Sequence, residues 1–145
     1  MAFVIAQPPP TGAPPRPADV DTGFWLWLAA LPLMVIGQLV DLYATANSTG
    51  ASAGVLVLST AFTLVVAAVV LTFLILLRSG YRWTRTLLTG SGLGTIAFTL
   101  TSLFGVARPT LPAVVFAVTG IIGSVLIGGG IYLMHRADSH QFFTR

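Results

Sequence analysis

The sequence of 145 residues contains no cysteine, no lysine and no glutamate, and only 8% of its residues are charged. The absence of cysteine excludes disulfides, thiol redox chemistry and cysteine zinc sites. A soluble domain carries about 25% charged residues, so too few charges remain here to cover a surface in water. The hydrophobic fraction of 55% and the mean hydropathy of +0.91 exclude disorder for most of the chain. These proportions indicate a membrane protein.

Four apolar stretches are long enough to cross a hydrocarbon core of ~30 Å, which takes about 20 residues. They cover residues 24–43, 53–77, 86–104 and 111–134. None shows the polar stripe of a soluble bundle helix or the alternation of a barrel strand. Because the connections are short, successive helices should lie antiparallel and adjacent. The sequence therefore predicts an all-α membrane protein, an antiparallel bundle of four transmembrane helices within residues 23–135.

The chain has seven arginines and no lysine, and the distribution of the arginines predicts the orientation of the bundle in the membrane. Arg108 lies alone on one side of the predicted bundle, and the other six arginines lie on the opposite side. By the positive-inside rule, both termini face the cytoplasm of a bacterial plasma membrane. Trp27 is assigned to the aromatic belt at the inner interface. Contacts with lipid headgroups are expected for Arg78, Arg82, Arg85 and Arg136.

The first 22 residues differ in composition from the rest of the chain. Six of the nine prolines lie between Pro8 and Pro17, a density that excludes a helix and favours an extended polyproline conformation. Residues 1–22 are either a disordered cytoplasmic tail or a docking segment for a partner. Residues 136–145 are predicted to form a second, short cytoplasmic tail.

Asp41 is the only acid near the interior of the predicted membrane domain, and Gln38 lies on the same helix face. An acid inside a membrane is a candidate proton or cation site. Tyr43, two residues further on, places Asp41 near the outer headgroups, where a carboxylate stays hydrated. This depth favours an interfacial residue or a contact at a helix end. Gln38 and Asp41 together form a candidate polar site, and both interpretations stay open.

The third and fourth helices are rich in small and hydroxylated side chains. Small residues let helix backbones approach closely, and hydroxyls bond within a helix or between helices. Both helices are therefore predicted to pack against other helices, either of this chain or of other membrane proteins. For the hydroxyl residues of the third helix, a polar translocation path is the alternative. The predicted packing residues are Gly90, Ser91, Gly94, Thr95, Thr99, Gly120, Ser124 and Gly128.

The groups that most membrane enzymes need are missing from the spans. His135 and His140 are the only histidines, and both follow the fourth helix. Without glutamate or cysteine, no metal site, haem ligation or acid–base pair is expected within the bilayer. The arginines lie at helix ends and form no basic face for nucleic acid. We therefore expect no enzymatic activity, no cofactor and no nucleic-acid partner.

A resemblance to other proteins rests on two short segments at the start of the predicted bundle. They are Arg-Pro-Ala-Asp-Val-Asp at 16–21 and Phe-Trp-Leu-Trp-Leu at 24–28. This opening resembles that of small uncharacterised actinobacterial four-helix membrane proteins with a proline-rich N-terminal tail. The resemblance implies four spans and a cytoplasmic tail, and it assigns no functional residues. Small multidrug exporters are similar in size and span number, but they carry a central glutamate in the first helix.

Two functions from different classes follow from these features. The first is a non-enzymatic integral membrane accessory or interaction protein, a subunit or stabiliser of a larger bacterial membrane complex. It would contact the lipid bilayer and, through the third and fourth helices, other membrane proteins. The alternative is a small oligomeric transporter or channel that uses Asp41 and the hydroxyl residues of the third helix.

Overall fold

The computed structural model describes residues 17–136, and within that range the chain forms four α-helices and no strand. The helices are α1 (Ala18–Thr49), α2 (Ala53–Arg78), α3 (Arg82–Gly105) and α4 (Thr110–Met134). By length and composition, each of them is able to cross a membrane. The prediction of an all-helical, multi-pass membrane protein is confirmed for this part of the chain. Most of the predicted proline-rich tail and nearly all of the predicted C-terminal tail lie outside the described residues.

The first helix is longer than the hydrophobic pattern predicts. The predicted span covers residues 24–43, whereas α1 begins six residues earlier at Ala18 and ends six residues later at Thr49. Residues 18–22, which the sequence assigns to the tail, are therefore helical. At 1.5 Å per residue, the 32 residues of α1 extend about 48 Å, well beyond the ~30 Å of a hydrocarbon core.

Local chemistry accounts for both ends of α1. Asp19 and Asp21 lie in the first turn, where carboxylates interact favourably with the positive end of the helix dipole. The carbonyl of Pro17 accepts a hydrogen bond from the N–H of Val20 at 3.1 Å, which closes that turn. At the other end, Gly50 has a φ of +64°, the left-handed conformation that commonly terminates helices and that glycine adopts without strain.

α1 packs mainly against α4, and the contact is made by side chains that lie against glycines. A Cβ added to Gly123 would meet the Cε of Met34 at 2.8 Å, and one added to Gly37 would meet Thr119. The contact positions rise along α1 as they fall along α4. Beside this contact, the hydroxyl of Ser124 is buried without a hydrogen-bond partner among the described residues.

Trp27 of α1 occupies the centre of the packing. Its indole lies between two glycines, Gly92 of α3 and Gly130 of α4. A Cβ added to Gly92 would meet Cη2 of Trp27 at 2.8 Å, so the ring fills the space that glycine leaves. Trp27 is only 4% exposed. Its assignment to the aromatic belt at the interface is therefore wrong, because the side chain belongs to the helix core.

α2 is the least embedded helix. Only Leu74 and Leu77, near its end, are buried among its 26 residues. Next to them, the rings of Phe73 and Trp83 meet edge to face, with their centroids 5.7 Å apart. Contact between α2 and α3 is weaker than that between any other pair of packed helices. The packing of α2 is therefore concentrated near its end, and most side chains of its earlier part are exposed.

Of the four glycines that the spacing predicts to pack, Gly120 makes a close contact within the described residues and the other three do not. A Cβ added to Gly90, Gly94 or Gly128 would meet nothing within 4 Å, so these three glycines do not contact another helix in residues 17–136. The close contacts of α3 and α4 are made by the predicted Gly120, which lies against Thr99, and by Gly92, which the spacing does not predict. A spacing of four residues places small side chains on one face of a helix, but it does not determine whether that face contacts another helix of the chain or the surroundings. Contacts of Gly90, Gly94 and Gly128 with another protein stay a prediction.

Candidate functional site

An ion pair joins α1 to the connection between α3 and α4. Arg108 donates from Nε and Nη2 to the two carboxylate oxygens of Asp41, and the second of these bonds measures 3.2 Å. Nη1 of Arg108 donates to the backbone carbonyl of Ser102 at 2.6 Å. The guanidinium carbon lies 4.2 Å from the centre of the Phe116 ring. The Arg108 and Asp41 side chains are 7% and 18% exposed, so the pair is far more enclosed than a surface ion pair.

The short connection between α3 and α4 brings Arg108 to this position. α3 ends at Gly105, and its last turn leaves carbonyl groups without helical partners. Arg108 folds back over that turn and donates to one of these carbonyls, where a cation also interacts favourably with the helix dipole. Pro109 then begins the next helix, because its carbonyl accepts from the N–H of Ala113 at 3.0 Å.

The geometry bears on the two interpretations that the sequence leaves open for Asp41. Both carboxylate oxygens accept hydrogen bonds from Arg108. An acid that exchanges protons or cations needs a carboxylate that can be released to its ligand, whereas this one is bonded twice to a fixed cation. The arrangement fits a contact at a helix end. Gln38, the other member of the predicted site, does not take part in the pair.

Gln38 instead lines a partly open cavity of about 370 Å³ to which all four helices contribute. Most of its wall is apolar, as Trp27 of α1 and Val66 of α2 illustrate, and α3 contributes the hydroxyl residues Thr95 and Thr99. No lining residue carries a charge. The volume falls within the range of small-molecule sites, which is about 300–1,000 Å³.

The predicted hydroxyl residues of α3 line this cavity, but they differ in their bonding. Thr95 donates to the carbonyl of Ser91 at 2.8 Å, and Ser91 donates to the carbonyl of Leu88 at 3.2 Å. Thr99 is only 4% exposed, and its hydroxyl bonds to no other residue in the described part of the chain. The methyl group of Thr99 lies against Gly120, so this position also joins α3 to α4.

The arginines predicted to contact lipid headgroups lie at the opposite end of the helices from the Asp41–Arg108 pair. They are Arg78, Arg82, Arg85 and Arg136. Nη2 of Arg78 lies 3.0 Å from Oδ1 of Asp21, and Nη1 of Arg136 lies 3.5 Å from Oδ2 of Asp19. Arg85 donates to a backbone carbonyl at the end of α4, and Arg82 is exposed. Three of the four arginines therefore also hold helix ends together.

Within residues 17–136, no cluster of three or more histidine, cysteine or acidic side chains is placed to hold a metal ion. No family model, no curated protein and no solved structure matches this chain.

Arg108 is the functional residue that sequence reasoning missed. Asp41 is the only acid on its side of the predicted bundle, and Arg108 is the only arginine there. In a medium of low dielectric constant, a charged side chain is stabilised by a nearby side chain of opposite charge. The two charges are 67 positions apart, so no local motif links them, but the charge count on that side could have paired them.

Proposed function

We propose that this chain is a non-enzymatic accessory protein of a bacterial plasma membrane that binds a helix of a larger membrane complex. One observation carries the proposal. Gly90, Gly94 and Ala97 form a small-residue face on α3 that is exposed, and the space beside its two glycines is open. This face is free to receive a helix from another protein.

The physics of helix packing in lipid supports a protein partner at this face. Lipid is as apolar as leucine, so helices associate through close fit and not through the hydrophobic effect. Glycine in a helix costs about 1 kcal/mol relative to alanine, and a face turned only to lipid returns nothing for that cost. A partner helix in close contact with Gly90 and Gly94 would recover it through dispersion contacts.

The proposed arrangement is an antiparallel bundle with both termini in the cytoplasm. The Asp21–Arg78 and Asp19–Arg136 pairs bring the beginning of α1, the end of α2 and the end of α4 together. Four of the described arginines lie at this end, and in the sequence Arg16 precedes α1 and Arg145 follows α4. The positive-inside rule assigns the end with more arginines to the cytoplasm. Arg108 is the one arginine predicted at the other end, where it is paired with Asp41.

The test compares two double variants that add the same kind of bulk at two exposed faces. The tagged chain is purified from native membranes in mild detergent, and its partners are quantified by mass spectrometry. Gly90→Leu with Gly94→Leu should lower the amount of a stoichiometric partner at least tenfold. Ala61→Leu with Ala68→Leu, on the exposed side of α2, should leave it unchanged.

Two outcomes would contradict the accessory function. One is equal recovery of the partner with both double variants, which would mean that the small-residue face is not the contact. The other is a chain that purifies only as a homo-oligomer and shows a transport signal that Asp41→Asn abolishes. That second result would establish the transporter alternative.

A further inference from the structure

We propose that the cavity between the four helices binds a neutral lipid with a single hydrocarbon chain and an oxygen-bearing head, of the monoacylglycerol class. The site is separate from the small-residue face of α3. It therefore stands or falls independently of the accessory function proposed above.

The head of the ligand is indicated by two polar side chains for which no hydrogen bond is described. A third polar group on the wall, the buried Nε1 of Trp27, also has no hydrogen-bond partner among the described residues and lies at the other end of the cavity. Gln38 and Thr99 line the cavity, and neither side chain bonds to another residue within residues 17–136. Threonines elsewhere in the helices, such as Thr63 and Thr101, bond the carbonyl four residues earlier in their own helix. An unsatisfied amide or hydroxyl at membrane depth is costly, because lipid tails offer no hydrogen bonds.

Gln38 and Thr99 lie at the same level of the bundle. Gly37, the neighbour of Gln38, contacts Thr119, and Thr99 contacts Gly120, the next residue of α4. One oxygen-bearing group could therefore accept from the amide and bond the hydroxyl at once. The pair of unsatisfied groups marks the position of the head.

The absence of charge on the cavity wall selects a neutral head. The nearest ionised groups, Asp41 and Arg108, lie about one turn above Gln38 and are bonded to each other. A carboxylate or phosphate in the cavity would meet no free cation, and its desolvation would not be compensated. An ester or hydroxyl head has only to satisfy Gln38 and Thr99.

The chain of the ligand follows the apolar part of the cavity. From Gln38, the lining continues down α1 to Trp27, eleven residues away, which corresponds to about 16 Å of helix. Ile127 of α4 and Val70 of α2 complete this deeper end. A single hydrocarbon chain matches the apolar lining of this part of the cavity.

The entrance faces the bilayer. Phe62 of α2 and Phe98 of α3 both line the cavity, and their side chains are 69% and 59% exposed. Because α2 and α3 pack only weakly against each other, we place the opening of the cavity between these two exposed rings, toward the hydrocarbon region. A lipid can enter there without leaving the membrane, which a water-soluble ligand cannot do.

Trp27 provides the probe for a direct binding test. In a chain carrying Trp25→Phe and Trp83→Phe, both at exposed positions, Trp27 is the only tryptophan. The full chain is placed in saturated phosphatidylcholine nanodiscs, and 9,10-dibromostearoyl glycerol is added in rising mole fraction. Bromine quenches indole fluorescence at short range, so a bound chain should give saturable quenching. Ala67→Phe, which fills the cavity, should abolish saturation, and Ala68→Phe, one residue further along α2, should leave it intact.

The head is tested with the same assay. Gln38→Leu and Thr99→Val should each weaken apparent binding roughly threefold to tenfold, the effect of one lost hydrogen bond. Ionised 9,10-dibromostearate should bind at least tenfold more weakly than the glycerol ester. Equal binding of the ester and the carboxylate, or no effect of either substitution, would overturn the assignment of a neutral head at Gln38 and Thr99.

The site itself is overturned by quenching that rises linearly with mole fraction and is the same in the Ala67→Phe and Ala68→Phe chains. The quenching of Trp27 would then come from bromine in the bulk lipid and not from a bound ligand. If Ala67→Phe does not fold, as judged by gel filtration and circular dichroism, it is replaced by Ser91→Phe, at another position that lines the cavity. Saturable quenching that persists in the folded Ser91→Phe chain counts against the site in the same way.

Discussion

The Asp41–Arg108 pair should contribute more to stability than any other described ion pair of the chain. Removing one partner of a buried pair costs about 3–5 kcal/mol, because the other charge is left without compensation. Asp41 is 18% exposed, and Arg108 keeps its bond to the Ser102 carbonyl and its contact with Phe116. These remaining contacts reduce the expected loss to about 2 kcal/mol for Asp41→Asn. Arg108→Gln should cost about 3 kcal/mol, because it also removes the contact of the cation with the ring.

A double-mutant cycle measures the pair itself. The four chains, wild type, Asp41→Asn, Arg108→Gln and both together, are unfolded reversibly by SDS in mixed micelles and followed by tryptophan fluorescence. The expected coupling energy is about 1–2 kcal/mol. The Asp21–Arg78 pair, whose side chains are 39% and 41% exposed, serves as the control and should give at most about 1 kcal/mol. A coupling energy for Asp41 and Arg108 below about 0.5 kcal/mol, or one that high salt removes, would refute the enclosed pair.

Three further variants test the packing, the helix end and the topology. Gly92→Ala should lower the free energy of unfolding by about 1–3 kcal/mol, because the new methyl group meets Trp27. Gly90→Ala, beside open space, should not lower it, and equal effects of the two substitutions would contradict the described packing. Gly50→Ala should cost about 1 kcal/mol in the same assay, since its φ is positive, and no loss would mean that α1 ends differently. In intact cells, an impermeant thiol reagent should label cysteine introduced at Ser48 but not at Ser79, and the reverse pattern would invert the topology.

The spans were predictable because the bilayer imposes their length. Three of the four predicted ranges agree with the helices to within about four residues at each end. α1 is the exception, since the rule counts only the residues that cross hydrocarbon, and a helix with good caps continues into water. Asp19 in the first turn and Gly50 beyond the last were the local signals for those extensions.

The candidate site was predictable only in part. Gln38 and Asp41 were found because polar residues in an apolar run are conspicuous, but their different surroundings depend on residues far away in the sequence. The importance of Gly92 was hidden for a similar reason. Its value comes from the indole of Trp27 on another helix, and no spacing within α3 reports that neighbour.

The extensive packing of α1 against α4 has a consequence for how the protein is made. The two helices are separated by the whole hairpin of α2 and α3, so the main interface closes only after the last span has entered the membrane. Until then, the side of α1 that packs against α4 has no protein neighbour. A chain interrupted before Thr110 would still contain Arg108, the partner of Asp41, but it would expose this side of α1 to the quality-control machinery of the membrane. Insertion of α4 is thus the step that completes folding, and α1 depends on an intact α4 to escape degradation.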